Sequence, residues 1–341
     1  MTTLPRLSRR SLLAGGSAAV AGLALPRLSL AQGLTPVTTA LGWIPNAEYA
    51  GLWVALENGY FAEEGIDLSF SPGGPNAPGV LVRLAAGQAD YAGADWMPLF
   101  ETVNRENDFV VLGAAFPTSP GALMSMASNP ILKPEDLVGK RILSQMPADQ
   151  HTVDFVLKKA GLPVDYELVP TGFSPEPLLA GDGDGYFAFA TNQPVTVENM
   201  GLVEGKDFHT VLWRDLGYDV PAGPIVAKRK FVEENRDVVV RYLRALARGW
   251  IENGKDFAVG ANLAATKYGA DFGLDAAQQT RQNELGQPLV TLDGAPGPFW
   301  FDPQTLETNI KPLAVAAGMT DLPTAEQLID LGPLEEALAS L

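Results

Sequence analysis

From Val37 onward, short β-rich runs alternate with helical ones, and no other property of the chain constrains its fold as strongly. Val37 to Trp43 reads as a strand, and Ala47 to Glu57 as a helix stopped by Asn58-Gly59. Ile66 to Phe70 reads as a second strand. After the loop SPGGPNAPG come a helix from Val80 to Ala86 and a short buried strand from Tyr91 to Ala94. Strands interleaved with helices predict an α/β architecture. Phe231 to Trp250 keeps Val238, Val239, Tyr242, Leu243, Leu246 and Trp250 at helical spacing, the pattern of an amphipathic helix laid on a core.

One pattern occurs twice. Ala86-Gly87-Gln88-Ala89-Asp90 leads into YAGA, and Ala180-Gly181-Asp182-Gly183-Asp184 leads into GYFAFA. Each reads as helix, glycine stop, aspartate and buried strand, the glycine taking the left-handed conformation that ends a helix. Two copies so far apart imply two α/β lobes of similar build. The Pro- and Gly-containing stretches Phe116–Gly121 and Asp219–Pro224 are the expected crossings between them. Lobe one is then residues 34–117 plus 224–341, and lobe two is 118–223. Two crossings form a hinge, and the cleft between lobes is a favoured place for a ligand.

Charge and composition exclude several functions. Forty acidic residues face 24 basic ones, a net charge of −16, which argues against a nucleic-acid partner and against an anionic membrane surface. No cysteine is present, and the two histidines, His151 and His209, are far apart with no partner pattern. No thiolate chemistry, metal site or Ser-His-Asp triad is therefore expected. No phosphate loop or dinucleotide fingerprint occurs, and the paired acids Glu63-Glu64 and Glu335-Glu336 are adjacent and diverge, so no catalytic group and no cofactor are assigned. The first residues read as an export signal: Arg6, Arg9 and Arg10, an uncharged run from Ser11 to Leu25, and the cleavage site Ser29-Leu30-Ala31. Ser8-Arg9-Arg10-Ser11-Leu12-Leu13 carries a twin-arginine pair, so residues 1–31 are read as a Tat-type signal peptide that is removed. Its loss takes four arginines and no acid, moving the charge from −16 to −20.

Polar and aromatic residues gather at the strand ends, where open α/β sheets bind ligands. Trp43 is placed to stack on a planar ligand. Asn46 either caps the following helix or meets a ligand, and Glu48 either favours the first helical turn or accepts a bond from the ligand. Asp95-Trp96 repeats the arrangement after the strand ending at Ala94, and Thr191-Asn192 after Phe187–Ala190. Tyr49, Tyr186 and Tyr218 are candidate walls.

The stretch W-x-P-N-x-x-x-A-G-L-x-x-A-x-x-x-G-Y-F-x-x-E-G-I-D-L from Trp43 to Leu68 resembles the NMT1/THI5-like solute-binding proteins of ABC importers. So do L-x-A-G-Q-A-D-Y at Leu84–Tyr91, L-V-G-K-R-I at Leu137–Ile142 and T-N-Q-P at Thr191–Pro194. The resemblance implies a type II periplasmic-binding-protein fold, α/β, with two lobes joined by a two-crossing hinge. It also implies a monomer in the periplasm that delivers a small molecule to permease subunits in the inner membrane. Trp43 and Asn46 carry over as ligand contacts, with Asp95, Trp96, Thr191 and Asn192 at cleft-lining positions. The group includes binders of thiamine pyrimidine precursors and riboflavin, and is related to sulfonate and nitrate binders. Pyrimidine-binding members often have a histidine where this chain has Glu48, which leaves flavin-like and other heterocycles open. No arginine or lysine stands beside the strand-end clusters, so a neutral or weakly basic planar heterocycle is expected over a sulfonate or nitrate. The rival of another class is an exported enzyme or cofactor carrier of the same superfamily.

Overall fold

The computed structural model describes residues 33–74, 77–103, 108–146 and 149–341. The expected export signal lies outside the described residues. Among the described residues, ten strands form two five-stranded sheets. They are β1 (Thr35–Ala40), β2 (Ile66–Ser71), β3 (Tyr91–Gly93), β4 (Phe109–Phe116), β5 (Gly121–Met126), β6 (Lys140–Ser144), β7 (Tyr166–Pro170), β8 (Gly185–Phe189), β9 (Phe208–Leu212) and β10 (Ala222–Lys228).

The first sheet runs β2-β1-β3-β10-β4 and the second β7-β6-β8-β5-β9, so the two orders correspond strand for strand. In each sheet the strand second from one edge, β10 or β5, is antiparallel to both neighbours, while the first three strands are parallel. That antiparallel strand is the one the chain enters directly from the other sheet. The chain crosses after Phe116 and again between Leu212 and Ala222, which makes a two-crossing α/β fold.

The repeated aspartate has a structural explanation. Gly87 and Gly181 both take left-handed backbone, with φ of 72° and 84°. Asp90 Oδ2 then accepts the Thr38 N–H at 2.8 Å, while the Asp90 N–H donates to the Thr38 carbonyl at 2.8 Å. Asp184 makes the same clamp on Arg141, at 2.8 and 2.7 Å. Each copy therefore ties the neighbouring parallel strand, β1 or β6.

Both faces of the second sheet are covered, as parallel strands require. Alternate residues of β5, β6 and β8 enter opposite cores: Leu123, Ile142 and Phe187 on one face, Met124, Leu143, Tyr186 and Ala188 on the other. The first sheet shares a larger core with the C-terminal helices, where Trp53 stacks on Tyr268 at 4.6 Å and Tyr91 on Tyr242 at 3.9 Å. The helix Ala50–Glu57 crosses the helix Arg236–Asn253 at Gly51 and Gly249. A Cβ on Gly51 would overlap the Trp250 ring, and one on Gly249 would overlap the Gly51 carbonyl. The expected continuous helix from Phe231 breaks at Asn235 (φ −133°), whose backbone N–H and side-chain amide both donate to the Phe231 carbonyl, at 2.9 and 3.0 Å.

Candidate functional site

β1 ends at Ala40, three residues before the tryptophan, and the chain leaves the sheet as a turn. The turn is fixed by its own groups. The Trp43 N–H donates to the Tyr49 hydroxyl at 3.0 Å, and the Trp43 carbonyl accepts the Gly73 N–H at 2.9 Å. Asn46 is buried and extended (φ −110°), and its Oδ1 accepts the Glu48 N–H at 2.9 Å. This is helix capping. The Asn46 carbonyl accepts the Trp53 indole N–H at 2.9 Å, and the Ala47 N–H donates to Gln279 Oε1 at 2.7 Å. Two of the donors a helix start leaves unpaired are thus already used.

With Asn46 as the cap, the Glu48 carboxylate has no hydrogen bond or ion pair among the described residues and feels the Asp95 charge. Burial, and then the neighbouring Asp95 charge, push Glu48 from 4.5 up to about 7. Burial also raises Asp95 above the usual carboxylate range. Asp95 itself is exposed to solvent. From the second sheet, Asp149 follows the carboxyl end of β6. Burial raises it, against bonds from the Ser144 hydroxyl at 2.6 Å and the Met146 N–H at 3.4 Å, and the Asp95 charge raises it further. Tyr218 is half-buried, senses Asp95 and Asp149, and is pushed up to about 12 by burial. Its hydroxyl is within hydrogen-bond reach of Thr152, and its ring meets Phe155 edge-on at 5.9 Å. The Tyr49 phenol is raised well above its ordinary value by burial and by Glu48. Above these groups, the Trp43 and Phe173 rings meet at 5.0 Å and 60°, one from each sheet's strand-end loops.

The structure therefore brings together Trp43, Glu48, Tyr49, Asp95 and Tyr218. It adds Asp149 and Phe173, which the sequence reading did not select. None of the three carboxylates has an ion-pair partner among the described residues. Trp96 and Tyr186 point elsewhere. Trp96 is buried, donates its indole N–H to the Pro221 carbonyl at 2.7 Å and packs on Phe301 at 6.0 Å. It is a core residue tying the first sheet to the second crossing. Tyr186 is fully buried, donates its hydroxyl to the Gly172 carbonyl at 3.0 Å and sits in a core of the second sheet. Thr191 is buried and lines a separate groove of about 250 Å³ with Pro194, Glu198, Arg281 and Leu285. Asn192 is half-buried at the start of the helix Gln193–Asn199. A larger groove of about 500 Å³, bordered by Asp108, Arg229 and Leu322, lies at the amino end of β4, away from these strand ends.

Residues 46–256 match the NMT1/THI5-like family. The chain belongs to that family. This NMT1/THI5-like chain is 28% identical to a formylaminopyrimidine-binding protein of Halalkalibacterium halodurans, over 79% of this chain and 81% of that one. It is 24% identical to the riboflavin-binding protein RibY of Chloroflexus aurantiacus, over 86% and 80% respectively. A putative periplasmic sulfonate-binding protein from Methylobacillus flagellatus has the same fold, with a TM-score of 0.65 at 15% identity, covering 90% of this chain and 95% of that one. The NMT1/THI5-like chain thus has the type II periplasmic-binding-protein fold.

Proposed function

We propose that this protein is the exported solute-binding component of an ABC importer, and that it captures a small planar heterocycle bearing N–H donors or a positive charge. The lobes are residues 34–117 plus 224–341 and residues 118–223, swinging about the two crossings. Trp43 supplies the stacking face, Tyr49 and Tyr218 the walls, and Glu48, Asp95 and Asp149 the acceptors. The permease subunits of the inner membrane are the partner, the working form is a monomer, and a twin-arginine-type signal delivers it to the periplasm.

One observation carries the choice of ligand: the charged groups meeting at the strand ends are three carboxylates with no basic partner among the described residues. A buried carboxylate is favoured by a donor or a cation and disfavoured by an anion. The N-terminus of the helix after Trp43 could have held an anion, but Asn46 and Gln279 occupy its Glu48 and Ala47 N–H groups. A sulfonate or nitrate would meet repulsion without compensating donors. The names of both relatives specify planar nitrogen heterocycles, which fits the same reading.

The test is a fluorescence titration and a melting curve with formylaminopyrimidine, riboflavin and an aliphatic sulfonate. Either heterocycle is expected to quench tryptophan emission and raise Tm by mass action. Binding of the sulfonate alone overturns the assignment.

A further inference from the structure

Arg83 is almost wholly shielded from solvent, 6% exposed. It makes no ion pair among the described residues. Its guanidinium lies just under the loops that follow β1 and β2; its two Nη groups donate mainly to main chain, while the buried Nε has no partner among the described residues. Nη2 donates to the Leu41 carbonyl at 2.7 Å. Nη1 donates to the Ser71 and Pro72 carbonyls at 3.1 Å each and to the Ser71 hydroxyl at 2.8 Å. These carbonyls stand where two parallel strands end. Leu41 is two residues before Trp43, and Gly73, next to Pro72, bonds the Trp43 carbonyl. The two loops approach backbone to backbone: a Cβ on Gly73 would press on Gly42 at 2.6 Å. The guanidinium is also close enough to the Tyr49 phenol, which holds the Trp43 N–H, for the two to interact electrostatically.

We propose that Arg83 is a positioning residue for ligand binding, its planar fork bridging the ends of β1 and β2 and so fixing the Trp43 indole at the cleft. The inference rests on the proposed function for its ligand readout, though not for its geometry. A guanidinium presents several donors in one rigid plane, whereas an ammonium is a point charge on a flexible stem. Arg83→Lys therefore keeps the charge and loses the bridge. A site whose supporting groups are loosened loses its geometry before it loses its fold.

Two readouts test this. In the ligand-free protein, acrylamide quenching assigned to Trp43, taken as the difference from the Trp43→Ala variant, should rise in Arg83→Lys. With riboflavin and formylaminopyrimidine as probes, Arg83→Lys should weaken Kd on the order of tenfold in the wild-type background. It should cost nothing further once Trp43 is alanine. An equal loss in both backgrounds, or unchanged Trp43 quenching, overturns the proposal. If Arg83→Lys does not fold, Ser71→Ala removes one acceptor and enters the same cycle under the same criteria. If neither probe binds the wild-type protein, the functional reading fails, and the quenching arm alone decides the role of Arg83.

Discussion

Glu48→Gln isolates the cost of holding a carboxylate in the ligand-free cleft. The side chains have nearly the same shape, and the Glu48 carboxylate makes no hydrogen bond among the described residues, so the substitution mainly removes the ionisable proton. Burial and Asp95 raise Glu48 from 4.5 to about 7. At about 1.4 kcal/mol per tenfold change, that interval corresponds to about 3 kcal/mol favouring the protonated form. The raised value means the native state holds its proton more tightly than the unfolded chain does. The stability it contributes is present in full below 4.5 and lost as the pH rises to about 7. The glutamine variant has no such loss. In denaturant unfolding without ligand, the two proteins should be nearly equal at pH 4. The variant should be more stable by up to about 3 kcal/mol at pH 8, with the gap opening between 4.5 and 7. A gap that does not change with pH, or one that opens in the opposite direction, would refute the placement of Glu48 beside Asp95 in a desolvated cleft.

The same carboxylate should give ligand binding a pH dependence. A donor-rich or cationic heterocycle favours the ionised form, so its affinity should rise from pH 5 to pH 8 in the wild type and be flatter in Glu48→Gln, as read by fluorescence titration. Trp43→Ala should weaken binding by about 1–3 kcal/mol, the scale of losing an aromatic stack, and unchanged affinity would remove Trp43 from the site. Gly249→Ala should lower stability by about 1–3 kcal/mol in thermal melts, since the added methyl overlaps the Gly51 carbonyl at the helix crossing. Asp90→Ala and Asp184→Ala should each cost about 1–2 kcal/mol, because both break the same clamp on a neighbouring strand, with Asp184→Ala the costlier since its Oδ1 also accepts the Asn129 side-chain N–H at 2.8 Å. No loss at either position would show that the clamp does not hold its strand.

The fold was legible because its signals are local. A helix-ending glycine, an aspartate and an apolar strand can all be read within one short stretch, and finding that pattern twice implies two sheets of one design. The site was legible only in part. Strand ends can be read from one stretch of sequence, but the direction of each side chain at the end depends on backbone geometry past the last ladder bond. Asp95 and Trp96 are consecutive, yet the acid stays exposed while the indole turns inward to Phe301 and the Pro221 carbonyl. Tyr186 fails for a related reason: it lies within β8, on the face that enters the core with Met124 and Leu143. Asp149, Phe173, Arg83 and Gln279 were missed because each acts on a partner far away in the chain, and hydrophobic periodicity carries no information about which strand ends meet. The repeat could have supplied one of them. The sheet orders pair β1 with β6, so the loop after Ser144 corresponds to the loop after Ala40. An acid found beyond the first, Glu48, directs the search to the second, where Asp149 stands. The same correspondence separates the two readings of the W-P-N stretch. Asn46 and Gln279 consume the helix donors that a ligand anion would need, and Glu48 is left as the group with chemistry still to offer.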